Sequence, residues 1–263
     1  MSILAEVWRR QPVLAALGLV YLALMVPALV GIGLDPRTVD GVGTWVKPAK
    51  FLASLAVFCL TMAWFFGYVA ESVRKGGLAR ATVGLIIAAS VFEMAYIAWQ
   101  AHLAQASHFN ISDTFHAVMY TLMGVGAVTL VSTTLPLAWL IARHPLPDLE
   151  PAFRDAVLLG LILTFGLGGG LGGYMSAQLT HNVGAPGTGP GLPLFGWSMT
   201  SGDMRPPHFL GIHAQQILPV AAAVLRMRGR WGRMLVWVGA LTYAALTLVV
   251  FAQALRGEPL LQG

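Results

Sequence analysis

The amino-acid sequence predicts an all-α integral membrane protein with seven transmembrane helices. Of its 263 residues, 57% are hydrophobic and only 10% carry a charge. The chain also contains seven apolar runs, each long enough to cross roughly 30 Å of hydrocarbon as a helix that rises ~1.5 Å per residue. These runs cover residues 12–33, 48–69, 81–103, 114–142, 156–179, 209–226 and 233–254. Because most connections are short, we expect one membrane domain over residues 1–263.

The positive residues predict the orientation of these helices. Eleven of the sixteen Lys and Arg residues fall on the face that carries the N-terminus. Cytoplasmic loops are enriched in these residues, so we expect the N-terminus inside and the C-terminus outside. The net charge of +5 is then explained by topology and lipid contact rather than by nucleic-acid binding. This orientation places six of the seven histidines near the outer face, namely His102, His108, His116, His181, His208 and His213.

The connection between the fifth and sixth helices, residues 180–207, is unusually long. Its Gly and Pro residues argue against regular structure. It nevertheless contains apolar residues that a solvated linker would avoid: Leu192, Leu194, Phe195, Trp197 and Met199. A long loop of this kind is typically a packed cap or a functional loop. We interpret it as a lid over the outer mouth of the bundle, and the alternative is an interfacial loop whose aromatic side chains contact lipid headgroups.

Polar residues inside the third helix are the first candidates for chemistry. Glu93 lies well within the apolar run, where a carboxylate is costly unless it faces the bundle and has a partner or a proton. Tyr96 and Gln100 follow at i+3 and i+7, on the same helical face. This face leads towards the histidines, so we expect these side chains to form a proton path or to support the ligands of a cofactor. A structural hydrogen bond between helices is the alternative. Asp203, in the long connection, is a further candidate catalytic residue.

The fifth helix is rich in glycine, with Gly166, Gly168, Gly169, Gly170, Gly172 and Gly173. Spacing of small residues by four predicts close packing between helices. The alternative is a flat cofactor lying against a bare helix face.

The outer-face histidines predict a metal centre. Neutral imidazole is a good ligand for zinc, copper and haem iron. We expect the ligands to come from His108, His116, His181, His208 and His213. Haem b is favoured over bare copper or zinc because Lys47, Lys50 and Arg205 should share the outer face and could pair with haem propionates. Gln216 is a further candidate for cofactor binding, and a bis-histidine haem would use imidazoles from two helices among spans three to six.

Several motifs are similar to those of known families. The strings are Trp45-Val-Lys47-Pro48-Ala-Lys50-Phe51, Ser107-His108-Phe109-Asn110, Gly191-Leu192-Pro193 and Gly202-Asp203-Met-Arg205-Pro-Pro-His208-Phe209-Leu-Gly211-Ile-His213. They resemble a family of bacterial seven-span proteins whose activity is uncharacterised. The layout from Tyr174 to His213 also resembles that of haem A synthase, which has outer-face histidines on paired helical units. The His-Arg pairs of that enzyme are missing, since Ala214 follows His213, so its reaction is not implied.

These observations predict a multi-pass protein of the bacterial inner membrane with a histidine-ligated centre near the periplasmic face. We expect it to transfer electrons or to oxidise a lipid-soluble substrate such as a quinol. Membrane lipid and quinone are the expected partners, and a homo-oligomer is possible. Two alternatives stay open: a zinc-dependent hydrolase acting on lipid, and a transporter of protons or small solutes.

Overall fold

The computed structural model describes residues 2–185, 189 and 191–261. It is all-α, as the sequence predicts, and six of its helical spans are long and apolar enough to cross a membrane. These spans are Pro12–Leu34, Val46–Phe66, Gly77–His102, Thr114–Arg143, Pro151–Ala177 and Gly229–Leu255. They match six of the seven predicted runs and indicate a multi-pass membrane protein. The remaining run, 209–226, forms the more polar helix Arg205–Val224, which is not among the six.

The chain divides into two compact units, Met1–Pro147 and Asp148–Gly263. The first contains seven helices and one small β-hairpin among its described residues. They are α1 (Ile3–Arg10), α2 (Pro12–Leu34), β1 (Thr38–Val39), β2 (Val42–Gly43), α3 (Val46–Phe66), α4 (Glu71–Arg74), α5 (Gly77–His102), α6 (Thr114–Ser132) and α7 (Thr134–Arg143). Strand β1 pairs antiparallel with β2, and α6 and α7 together form one span.

The short helix α1, which the apolar runs did not predict, is held by its arginines. Gln11 adopts an extended conformation before Pro12, as residues before proline do, and this separates α1 from α2. The Arg10 guanidinium lies 4.1 Å from the ring centre of Trp64 and donates to the Trp64 carbonyl at 2.9 Å. It also pairs with Glu6 at 2.7 Å. The side chains of Ile3 and Trp8 are exposed, so α1 has the amphipathic character of an interfacial helix.

The turn that connects α2 to α3 is organised by Asp35. Its carboxylate accepts hydrogen bonds from the Arg37 guanidinium at 2.7 Å and from the Trp45 indole at 2.9 Å. The Arg37 guanidinium, followed by the Arg37 backbone N–H and the Trp45 indole, holds the pKa of Asp35 well below its usual range. Because a carboxylate that accepts several hydrogen bonds stays ionised, this turn is fixed at neutral pH.

The second unit contains helices α8 (Pro151–Leu163), α9 (Gly170–Ala177), α10 (Arg205–Val224) and α11 (Gly229–Leu255), with strands β3 (Asn182–Val183) and β4 (Gly202–Asp203). A π-helical segment, Thr164–Gly169, joins α8 to α9 without a break.

The long connection, residues 180–207, was expected to lack regular structure, but its described residues include two short strands. Strand β3 pairs antiparallel with β4, and Gly191 bridges Ser198. Backbone hydrogen bonds such as Leu192 N–H to the Trp197 carbonyl, 2.7 Å, stabilise these turns.

Candidate functional site

The predicted row of Glu93, Tyr96 and Gln100, here called the polar row, is buried within the first unit. These side chains are only 4%, 3% and 1% exposed. Four of their polar atoms have no hydrogen-bond partner among the described residues: Glu93 Oε1, Tyr96 Oη, and both Gln100 side-chain atoms. A buried polar atom left in this state costs about 1–3 kcal/mol. The row is therefore suited to receive water, a proton or a ligand.

Two neighbours define the surroundings of Glu93. Gly126 on α6 leaves room for the carboxyl group, because a Cβ there would lie only 2.8 Å from Glu93 Oε1. The ammonium group of Lys47, at the start of α3, interacts electrostatically with Glu93. Lys50, one turn later on α3, is exposed. The sequence suggested Lys47 as a partner for propionates, and that role stays a prediction; its charge interacts with Asp40 and with Glu93.

His108 lies in the loop between α5 and α6, close to the same lysine. Its Nδ1 is 3.1 Å from the Ser107 hydroxyl, and its ring centre is 5.4 Å from that of Phe51 on α3. Burial, assisted by the charge of Lys47, holds the pKa of His108 well below its usual range. The imidazole is therefore neutral at pH 7, which is the form that binds metals.

His116, another candidate ligand, is engaged through both ring nitrogens. Its Nδ1 is 2.6 Å from the Asp113 carboxylate, and its Nε2 is 3.3 Å from Gln105 Oε1. Asp113 also caps α6 by accepting from the His116 backbone N–H at 3.0 Å. That N–H, followed by the imidazole, lowers the pKa of Asp113. The geometry thus gives His116 a role at the helix N-terminus, and its role as a ligand stays a prediction.

A groove opens on the side of the first unit between α5 and α6. Its volume is about 320 Å³, and it is lined by Phe92, Ala95, Tyr96, Trp99 and Met119. Tyr96 therefore belongs both to the groove and to the polar row. The rings of Tyr96 and Trp99 pack edge to face, with their centres 6.1 Å apart.

In the second unit, His208 packs against the glycine-rich helix. Its Nδ1–H donates to the Gly168 carbonyl at 3.0 Å. Gly172 provides the space for the ring, since a Cβ there would lie 2.7 Å from His208 Cε1. With Nδ1 fixed as the donor, Nε2 carries the lone pair of a neutral imidazole. This is the arrangement in which a histidine is oriented to bind a metal.

The glycines themselves divide into two groups. A Cβ at Gly211 of α10 would lie 2.7 Å from the Gly168 nitrogen, and a Cβ at Gly168 would lie 2.8 Å from Ile212 Cγ2. The first of the two predictions for this helix was close packing against another helix. The face that carries Gly168 and Gly172 is packed in this way. By contrast, a Cβ added at Gly166, Gly170 or Gly173 would have no neighbour within 4 Å among the described residues.

His213 lies about 1.4 turns after His208 and packs on Phe209 of the same helix, which contacts the long connection. Its ring centre is 4.2 Å from that of Phe209, which in turn packs edge to face on Trp197 at 5.5 Å. Phe195 stacks on Trp197 at 4.4 Å. His213 Nδ1 is 3.3 Å from Gln216 Oε1. Phe195 and Trp197 of the connection thus pack on Phe209 of α10, whereas Leu194 is 86% exposed, and the lid over the outer mouth stays a prediction.

Asp203 and Arg205 form a closed pair at the start of α10. Arg205 Nη2 is 2.6 Å from Asp203 Oδ2, and the same guanidinium nitrogen donates to the Gly196 carbonyl at 2.7 Å. Asp203 also accepts from the Ser198 backbone N–H at 2.9 Å. These bonds make Asp203 an anchor of the connection, and its catalytic role stays a prediction. His181 belongs to the same anchor through its carbonyl, which accepts from the Met204 N–H at 2.8 Å.

One residue of these sites carried no signal in the sequence: Gly126, whose role depends on its contact with Glu93. Ser107 was singled out only as part of the motif Ser107-His108-Phe109-Asn110, and its contact with His108 is known only from the structure. Within residues 2–185, 189 and 191–261, no three His, Cys, Asp or Glu side chains gather as a metal site of protein ligands alone would require. In comparisons with known proteins, no family model, no curated protein and no solved structure matches the chain.

Proposed function

We propose that this chain is a redox protein of the bacterial inner membrane, in which electron transfer from a lipid-soluble substrate is coupled to proton release through the polar row. The observation that carries the proposal is the set of four buried polar atoms in Glu93, Tyr96 and Gln100 that have no partner among the described residues. Buried ionisable and polar groups within membrane spans mark proton and substrate pathways. The contacts around these three residues extend from α3 through α5 to α6.

The residues of the first unit can move a proton without rearrangement of the helices. Glu93 can hold a proton on Oε1, next to the open space at Gly126. Tyr96 and Gln100 follow at one-turn intervals and can pass hydrogen bonds along α5 with intervening water. The positive charge of Lys47 interacts with Glu93 at the start of this path. The row therefore connects the middle of the span to the end that carries His108.

A histidine-ligated centre, with haem b favoured over copper, would supply one-electron chemistry when bound; zinc, the other metal that the histidines suggested, has no redox chemistry and would not. The support comes from the imidazoles of the second unit. His208 is oriented by the Gly168 carbonyl, and His213 has Nδ1 near Gln216, so either Nε2 could hold the iron.

The proposed protein crosses the membrane seven times, with its N-terminus on the inside, and α10 is the span that completes the seven. Helix α10 has 20 residues, enough for about 30 Å. Its start and the end of α11 are close together, because a Cβ at Gly202 would approach the Ala254 carbonyl and would lie 2.9 Å from Gly257 Cα. Its end joins the start of α11 by a short turn. It therefore runs antiparallel to α11, a span, along its whole length. The unequal distribution of Lys and Arg supports the orientation.

The test is the purified protein and its Glu93→Gln variant. We expect a reduced-minus-oxidised absorbance spectrum with haem bands in both, and slower proton-coupled turnover, or a shifted pH profile, in the variant alone. Ser90→Ala is the matched control, because Ser90 is a buried polar residue of the same helix outside the polar row and bonds to Tyr21 at 2.8 Å. A protein without iron or copper would refute the redox proposal, whatever its zinc content.

Transport of protons or a small solute is the second candidate, because the same unpartnered atoms could line a path without any cofactor. The two proposals differ in one measurement. A transporter would be colourless, and its Glu93→Gln variant would lose proton-coupled uptake in vesicles. The lipid-hydrolase alternative has no such support, since it requires a metal site of several protein ligands.

A further inference from the structure

We propose that the groove between α5 and α6 binds the aromatic ring of a lipid-soluble quinone or quinol, which enters sideways from the bilayer. The inference rests on the proposed function and names the substrate class and the place where it binds. The groove is lined by Phe92, Ala95, Tyr96, Trp99 and Met119, which are outside the residues already assigned to the proton path except for Tyr96.

The size and lining of the groove suit a flat ring. At about 320 Å³, it lies at the lower end of the range for small-molecule sites. Three of the five lining residues are aromatic, and aromatic side chains favour stacked or edge-to-face contact with another ring. Met119 adds a polarisable thioether that packs well against aromatic groups. Trp99 is 47% exposed, so its indole is available to a ligand.

Continuity with the polar row selects a ring that carries oxygen atoms over a plain lipid tail. Tyr96 lines the groove, while its hydroxyl is buried and has no partner among the described residues. Gln100, one turn further along α5, offers an unpartnered amide in the same row. Quinone oxygens accept hydrogen bonds and quinol hydroxyls donate them, whereas an alkyl chain can do neither. A ring in the groove would lie against Tyr96, the one lining residue that belongs to the polar row, whereas Gln100 is buried and is not part of the lining.

Binding to the full-length protein in lipid nanodiscs tests this inference. The probe is a decyl-substituted benzoquinone, and decyl alcohol with the same tail is the matched ligand. We expect saturable binding of one equivalent of the quinone and none of the alcohol. Ala95→Phe fills the groove and should weaken binding at least about tenfold. Val91→Phe, one turn earlier at an exposed position of α5, adds the same ring outside the groove and should leave affinity within about twofold.

Met119→Trp narrows the groove from α6 and serves as the second variant if Ala95→Phe does not fold, with Val118→Trp, at an exposed position of α6, as its control. Absence of saturable quinone binding, equal binding of decyl alcohol, or equal affinities of the filling and control variants would each overturn the inference. The redox proposal fails separately. If the protein binds the quinone in this groove but contains no iron or copper, the quinone site is supported and the redox function is refuted.

Discussion

Gly211→Ala tests the packing of α10 on the π-helical segment. The new Cβ would lie 2.7 Å from Gly168 N, 2.8 Å from Leu167 C and 2.9 Å from Gly168 Cα. Ordinary contacts between carbon atoms are about 3.5–4.0 Å, so the helices must separate by roughly 1 Å. All three atoms are backbone and cannot rotate away.

The size of the effect follows from three contributions. Overpacking of a tight contact costs about 1–3 kcal/mol. Separation also weakens the His208–Gly168 hydrogen bond of 3.0 Å, which is worth about 0.5–1.5 kcal/mol. Replacement of a helical glycine by alanine returns up to about 1 kcal/mol. We therefore expect Gly211→Ala to lower the free energy of unfolding by about 1–3 kcal/mol.

The assay is reversible unfolding in mixed micelles, followed by helical circular dichroism. Gly170→Ala is the matched control, because its Cβ would meet no atom within 4 Å in the described part of the chain, and it should be neutral or slightly stabilising. Equal unfolding free energies for the two variants would refute the packing described for these helices.

Three further predictions concern the surroundings of Glu93, His208 and Asp35. Gly126→Ala should turn the Glu93 carboxyl away and reproduce the loss of proton coupling, at a stability cost of less than about 1 kcal/mol because a flexible side chain gives way. Gly172→Ala should push the His208 ring from its position and change the haem spectrum or content of the purified protein. Asp35 has a lowered pKa when folded, so its contribution to stability is present above about pH 4 and is lost in stronger acid. Asp35→Asn should therefore flatten the acid branch of the stability profile.

Each of these glycine variants has a control in the same chain. Gly124→Ala accompanies Gly126→Ala, and Gly173→Ala accompanies Gly172→Ala, because a Cβ at Gly124 or Gly173 meets nothing within 4 Å among the described residues. A Gly126→Ala protein with normal proton coupling, or a Gly172→Ala protein with an unchanged spectrum, would contradict the contact on which it depends. If the stability of Asp35→Asn falls in acid as steeply as that of the wild type, the predicted role of Asp35 is contradicted.

The helices could be predicted from the sequence because the cost of exposing a backbone to lipid forces long apolar runs to become helices. Six predicted runs agree with spans to within a few residues. The prediction was weaker for Arg205–Val224, where two histidines and two glutamines dilute the apolar signal. Helix α1 was not predicted, since its stability depends on the contact of Arg10 with Trp64, far away in sequence.

The candidate site was predictable only in part. Glu93, Tyr96 and Gln100 share a face because helical periodicity determines it, and the structure buries all three. Which glycine makes room for the carboxyl group depends on how α6 packs, and sequence spacing alone does not specify it. Likewise, the ring nitrogens of His116 are engaged by Asp113 and Gln105 through the conformation of a loop that has no periodicity.

The π-helical segment Thr164–Gly169 has a consequence for the evolution and engineering of this span. Such a segment accommodates one residue more than an α-helical turn would. If the same residues were wound as a regular α-helix instead, all that follows would rotate by about 100°. Gly172 would then no longer face His208, and a different strip of side chains would meet α10. Removal of one residue from the segment would restore the α-helix and keep the faces that follow, so the wider turn sets which surface is presented to the histidine.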